Sequence, residues 1–71
     1  MNLEKELGKL SKAQLLFVRW AVDFSDDRSR SQLARDIGIP EPTVKKWERD
    51  PRLSAIVSEL RRQALVEAGT I

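Results

Sequence analysis

The sequence predicts an all-α fold, a small helical bundle of four to five helices, and three observations lead to this class. Apolar residues recur at intervals of three and four, which is the period of helices that bury one face. No segment alternates apolar and polar residues with the β-branched enrichment of a strand. Residues that commonly start or stop helices stand at the ends of the periodic segments. At 71 residues, the chain 1–71 is expected to form one domain with a small core.

The first two helices are predicted at residues 3–10 and from residue 12 to about residue 24. Asn2 and Ser11 precede them as N-caps, whose side-chain oxygens can accept bonds from the first turn. The second helix is apolar over most of its circumference, which predicts a place at the centre of the bundle. The apolar residues are Leu3, Leu7 and Leu10 in the first helix and Leu15, Leu16, Phe17, Val18, Trp20, Ala21, Val22 and Phe24 in the second.

The third and fourth helices are predicted at residues 30–37 and about 41–49, joined by a short turn. Gly38 ends the third helix, because glycine takes the left-handed conformation of a C-terminal cap most readily. Pro42 falls in the first turn of the fourth helix, where its missing N–H costs nothing. Pro40 stiffens the turn just before it. The two prolines therefore indicate a helix start.

The fifth helix is predicted at residues 51–69, with Asp50 as its N-cap and Pro51 as its first residue. It should cover the second helix through an apolar stripe, which leaves little apolar surface for a partner. The isolated chain is therefore expected to be a monomer or to associate weakly. The stripe consists of Leu53, Ile56, Val57, Leu60, Ala64 and, at its edge, Leu65.

The spacing of apolar and small residues predicts a helix-turn-helix at about residues 30–49. Two helices that meet at a sharp angle need a small residue at their crossing, a turn residue without a Cβ, and apolar inner faces. Because it belongs to this inner face, Trp47 is assigned to the core and not to base stacking. The residues that meet these needs are Ala34, Gly38, Val44 and Trp47, with Leu33, Ile37 and Ile39 filling the remaining space.

Composition excludes most classes of enzyme. The chain has no cysteine and no histidine, so it lacks a Cys/His zinc site and a Cys–His or Ser–His nucleophile. It also lacks the Gly-x-x-x-x-Gly-Lys-Ser/Thr loop of a nucleotide-driven motor. We expect no enzymatic activity, no cofactor and no metal. Neither an apolar run of roughly 20 residues nor a signal-peptide pattern is present, so an intracellular protein without a membrane partner is expected.

The outward face of the fourth helix is the candidate functional site. The net charge of +2 is too small to indicate nucleic-acid binding by itself. If Val44 and Trp47 point inward, however, the fourth helix turns Glu41, Pro42 and several bases outward, as a helix in the major groove of DNA would. The candidate DNA-binding residues are Thr43, Lys45, Lys46 and Arg49 on this helix and Gln32 and Arg35 on the preceding one, with Arg28 and Arg30 as further candidates for the DNA backbone.

Each candidate has a role in this hypothesis and a plainer alternative. Thr43 can hydrogen-bond to a nucleobase or touch a thymine methyl group, and Lys45 or Arg49 can reach guanine O6 and N7. The remaining basic side chains neutralise phosphate. Alternatively, the three bases of the fourth helix form only a solvated face, although the turn before them favours recognition. Arg61 and Arg62 on the last helix are assigned to a solvated face.

Two stretches resemble the N-terminal DNA-binding domain of bacteriophage terminase small subunits: LSKAQLLFVRWAVDF, residues 10–24, and SQLARDIGIPEPTVKKWERDPRL, residues 31–53. Such domains often open with a Leu-Ser/Thr-x-x-Gln-x-x-Phe-like helix and continue with a helix-turn-helix. A Trp a few residues before Asp-Pro or Asn-Pro then leads into a final helix, as Trp47 and Asp50-Pro51 do here. The resemblance covers residues 10–60. Pro40 departs from it, because such motifs commonly have a Ser or Thr cap at that position.

The resemblance implies a role in the initiation of viral DNA packaging in the cytoplasm of a bacterial host. The partners it implies are double-stranded DNA and, if a longer parent chain exists, a terminase large subunit that carries the ATPase and nuclease. Small terminases normally continue into an oligomerisation region, so the resemblance implies a homo-oligomeric ring for such a parent. The 71 residues are then expected to be an excised domain or a different, minimal protein.

Two alternatives remain open from the residues alone. One is another helix-turn-helix protein, such as a small transcription regulator or an excision factor. The other is a helical protein-interaction module that never touches DNA and uses the stripe at residues 53–65 as a docking surface.

Overall fold

The computed structural model describes residues 2–69 of the protein, with side chains as far as residue 65. Within that part of the chain, all regular structure is α-helical, which confirms the predicted fold class. None of the described helices is long and apolar enough to cross a membrane. The helices are α1 (Leu3–Gly8), α2 (Lys12–Val22), α3 (Arg30–Ile37), α4 (Glu41–Arg49) and α5 (Pro51–Gly69).

The helix starts agree with the predicted caps. The side-chain oxygens of Asn2 and Ser11 accept hydrogen bonds from the backbone N–H groups of Lys5 and Gln14. The Gln14 side chain also accepts from the backbone N–H of Ser11, which completes a capping box. In the same way, Asp50 Oδ1 accepts from Arg52 N at 2.9 Å and begins α5. These local bonds satisfy N–H groups that have no partner within the helix.

The turn between α3 and α4 is built as the glycine and the prolines predict. Gly38 has a φ of 76° in the left-handed region, and its N–H donates to the carbonyl of Ala34. Ile39 N–H donates to the same carbonyl at 3.0 Å, so the chain leaves α3 in a tight turn. Pro40 is the N-cap residue of α4 without a side-chain bond, and Thr43 N–H donates to its carbonyl. The predicted limits of both helices are therefore confirmed; a DNA-binding role of the pair stays a prediction.

One apolar core joins the helices. α5 packs against α1, α2 and α4, while α3 packs against α2 and α4. Leu33, Val44 and Ile56 are fully buried where these helices meet. Trp47 is half-buried and packs against this core, as do Ile37 and Ile39. The remaining buried residues are Phe17, Val18, Ala34, Leu53 and Val57.

The predicted central position of α2 is wrong for one side of the helix. Leu15 and Leu16 are 41% and 36% exposed, because α2 packs through its opposite side against α5 and α3. The helix also ends at Val22, before the predicted end near residue 24. Asp23 has an extended backbone, and its side chain accepts bonds from the N–H and hydroxyl of Ser25, which competes with continuation of the helix. Phe24 is therefore 75% exposed.

The predicted apolar stripe of α5 is shorter than expected. Leu53, Ile56 and Val57 are buried, and Leu60 packs at the edge of the core. By contrast, Ala64 is exposed and Leu65 is 65% exposed. The reason is length: α5 has 19 residues and α2 has 11, so at about 1.5 Å per residue α5 extends about 12 Å further than the helix it covers.

Candidate nucleic-acid interface

The exposed face of α4 carries only basic residues and a proline. Lys45, Lys46 and Arg49 are exposed, as is Pro42, and their spacing places them on one side of the helix. Val44, on the opposite side, is fully buried. Within residues 2–65, where side chains are described, none of these three bases forms an ion pair. Three of the six predicted DNA-binding residues are therefore brought together on one surface.

The core fixes which face of α4 is turned outward. The Trp47 ring meets the Phe17 ring of α2 edge-on, with 5.6 Å between their centroids. Val44 lies about one turn earlier and is fully buried in the core. A rotation of α4 about its axis would expose both side chains, so their burial determines the direction of the basic face.

One of the two acidic residues of α4, Glu48, is paired with a base of α3. Glu48 accepts hydrogen bonds from the guanidinium group of Arg30 on α3, with a shortest N–O distance of 2.7 Å. This pairing with Glu48 raises the pKa of Arg30 above its ordinary value, and the negative charge of Glu41 adds to the effect. Glu41 is half-buried, contrary to the expected outward position. The charge of Glu48 is therefore balanced by Arg30 and not by the bases of the exposed face of α4.

Arg28 and Arg30 are occupied within the protein and do not form part of this exposed face. Arg28 binds Asp26 at 2.6 Å and Asp36 at 3.1 Å. Its hydrogen bonds to these two carboxylates raise its pKa, and the bond from Arg28 lowers the pKa of Asp26. Carboxylates of the protein itself bind both guanidinium groups. The geometry therefore favours Arg28 and Arg30 less as contacts to the DNA backbone than the sequence suggested.

The two candidates on α3 differ in their surroundings. Gln32 is exposed, but its side-chain amide donates to Asp36 at 2.9 Å. Arg35 is also exposed and has no ion-pair partner within the part of the chain whose side chains are described. Thr43 on α4 is half-buried, at the edge of the helix as predicted. Arg35 is thus the α3 side chain more available to a phosphate.

One exposed arginine at the start of α5, Arg52, was not among the predicted DNA-binding residues. Its side chain lies 3.5 Å from a carboxylate oxygen of Glu6 on α1, so it is paired within the protein, as Arg28 and Arg30 are. On the same helix, Arg62 pairs with Glu59, and Arg61 donates to the carbonyl of Ala21.

This arrangement can bind a polyanion through several cations at once. Lysine and arginine side chains on one helix face can contact successive phosphates or reach base edges, and these three bases need not break an ion pair of the protein to do so. Compared with protein-family models, with curated proteins and with solved structures, the chain matches none of them.

Proposed function

We propose that this chain is a DNA-binding module in which α3 and α4 form a helix-turn-helix and α4 is the recognition helix. The observation that supports it most strongly is the purely basic exposed face of α4, formed by Lys45, Lys46 and Arg49. Burial of Val44 turns this face outward, and Arg30 neutralises Glu48.

The proposed roles follow from the reach of each side chain. Arg49 or Lys45 contacts guanine O6 and N7, and Thr43 contacts a base at the start of the groove. Lys46 neutralises a phosphate, and Arg35 and Gln32 on α3 contact the DNA backbone. One small domain makes few such contacts, so the isolated chain binds weakly, at about 10⁻⁴ to 10⁻⁶ M at physiological salt. Binding tightens when several copies are held together.

The proposed biological setting is the initiation of viral DNA packaging, as the DNA-binding domain of a terminase small subunit. This proposal rests on the resemblance of residues 10–60, above all on Trp47 and the Asp50-Pro51 junction. In that setting the parent protein would form a ring on double-stranded DNA and present it to a large subunit. The second candidate, a small transcription regulator or excision factor, uses the same α4 face. A neighbouring gene for a terminase large subunit would favour packaging.

The experiment that tests DNA binding is a gel-shift or fluorescence-anisotropy titration of a duplex at low and moderate salt. Replacing Lys45, Lys46 and Arg49 together by alanine should remove most of the binding, while circular dichroism shows an intact helical fold. The matched control replaces three exposed bases of α2 and α5, Lys12, Arg19 and Arg62, so that the net charge changes equally. If both triple variants bind DNA like the parent, α4 is not the DNA-binding helix. If neither they nor the parent bind, the protein-interaction alternative is preferred.

A further inference from the structure

One ion pair joins the start of α3 to the end of α4. Arg30 is the first residue of α3, and Glu48 is the last but one of α4. Arg30 Nε donates to both carboxylate oxygens of Glu48 at 3.1 Å, and Arg30 Nη2 donates to Glu48 Oε2 at 2.7 Å. A guanidinium group that binds both oxygens holds a carboxylate in a defined direction. A residue of α3 therefore determines where the Glu48 side chain of α4 points.

Glu48 stands beside the basic face of α4 and not opposite to it. Successive residues of an α-helix are turned by about 100° around its axis. Glu48 therefore lies about 60° from Lys45, and Arg49 lies about 40° from Lys45 in the other direction. Lys45 is thus at the edge of the exposed face, with Arg49 on one side and a carboxylate on the other.

The spacing of Lys45 and Glu48 favours an ion pair between them. Side chains three residues apart on a helix are neighbours, and opposite charges at this spacing attract each other. Arg62 and Glu59 of α5 have the same spacing and do form an ion pair. Within residues 2–65, however, Lys45 forms no ion pair, because Glu48 pairs with Arg30 instead.

The guanidinium group of Arg30 also acts on the second carboxylate of α4. Glu41 stands four residues before Lys45, a spacing that likewise favours an ion pair. The attraction between Arg30 and Glu41 contributes to the raised pKa of Arg30, after the larger effect of Glu48. A cation on α3 thus balances the acidic residues that flank Lys45. A lysine that remains unpaired can neutralise a phosphate without first losing a partner within the protein.

We infer that Arg30 is a positioning residue of the DNA-binding face, which binds Glu48 and thereby keeps Lys45 free for DNA. The inference rests on the proposed function and adds to it how the basic face is kept available. It also changes the role of Arg30, which the sequence suggested as a contact to the DNA backbone. Arg30 acts through Lys45 and does not itself touch DNA.

The test measures the affinity of the full chain for a DNA duplex by fluorescence anisotropy at low salt. Arg30→Met removes the guanidinium group and keeps a side chain of similar length. The matched control is Arg19→Met, which removes the same charge from an exposed position of α2. Arg30→Met should weaken binding about twofold more than Arg19→Met does, which corresponds to the strength of one ion pair on a helix surface.

Replacement of Glu48 separates positioning from direct contact. Arg30→Met with Glu48→Gln keeps the net charge of +2 and leaves no carboxylate at position 48, so it should bind like the parent. Arg30→Met with Asp27→Asn has the same net charge but retains Glu48, and should stay about twofold weaker. Asp27 is exposed and has no ion-pair partner among the side chains described. In a Lys45→Ala chain, Arg30→Met should weaken binding no more than Arg19→Met does.

Circular dichroism melts verify that each variant is folded, and Arg30→Ala replaces Arg30→Met throughout if the latter does not fold. The inference is overturned if Arg30→Met binds like Arg19→Met, because Glu48 would then not compete for Lys45. It is also overturned if Glu48→Gln restores no more affinity than Asp27→Asn, because Arg30 would then contact DNA itself. A parent chain that binds no duplex would refute the proposed function and this inference together, whereas the variant results refute the inference alone.

Discussion

Replacement of Trp47 by alanine separates a structural from a DNA-binding role for this residue. Trp47 is half-buried and packs against Phe17 with 5.6 Å between ring centroids. Burial of roughly 100 to 150 Å² of such a side chain contributes about 3 kcal/mol. The aromatic pair adds about 1 kcal/mol. These values are upper estimates, because the unfolded chain already buries part of the surface.

The expected loss is a large part of the total stability. A domain of this size is stable by only about 4 to 11 kcal/mol, so a loss of about 3 kcal/mol should lower the melting temperature by at least about 12 °C. Thermal melts followed by circular dichroism measure this shift, and DNA binding is then measured well below the melting temperature of the variant. There the variant should retain affinity, because the side chains of Lys45, Lys46 and Arg49 are unchanged. A variant that melts like the parent but loses DNA would show that Trp47 is a contact residue.

Three further predictions test the site and the turn. Lys46→Ala should weaken binding to all DNA sequences alike and reduce the salt slope of log affinity by about one unit, whereas Arg49→Ala should cost about 1 to 3 kcal/mol on one sequence only; titrations over a salt series measure both. Gly38→Ala should destabilise the fold by about 1 kcal/mol in denaturant titrations, since φ is 76° and no heavy atom lies within 4 Å of the added Cβ. Arg28 lowers the pKa of Asp26 below its ordinary 3.8. The stability that this pair contributes is therefore present above pH 3.8 and is lost as the pH falls through the lower pKa of the folded state. Asp26→Asn should make the free energy of unfolding fall less steeply as the pH is lowered.

Much of the secondary structure follows from interactions within a few residues of sequence. Ser11 and Gln14 form their capping box across three positions, and Asp50 caps α5 in the same range. Gly38 ends α3 because its own backbone adopts the left-handed conformation. The helical period alone also places Lys45, Lys46 and Arg49 on one side of α4. Such features can be recognised from the sequence because both partners stand close together in it.

The sequence alone did not predict how far along each helix the apolar side chains are buried. Phe24, Ala64 and Leu65 continue apolar patterns that the sequence shows, yet the structure leaves all three exposed. An apolar residue is buried only if another element reaches it, and this depends on the relative lengths and ends of α2 and α5. Periodicity reports which side of a helix is apolar and gives no information about how far its partner extends.

Only the tertiary structure decided how the charges and aromatic rings are distributed. Glu48 pairs with Arg30, which is separated from it by 18 positions in sequence. The exposed residues on the outer face of α4 are then Lys45, Lys46, Arg49 and Pro42. The four aromatic residues, spread over residues 17–47, meet around one cavity because α2, α4 and α5 converge there. The sequence by itself determined the helices, their caps and the α3–α4 turn, whose energies are local. The neighbours of each side chain depend on how whole helices pack, which no short stretch of sequence encodes.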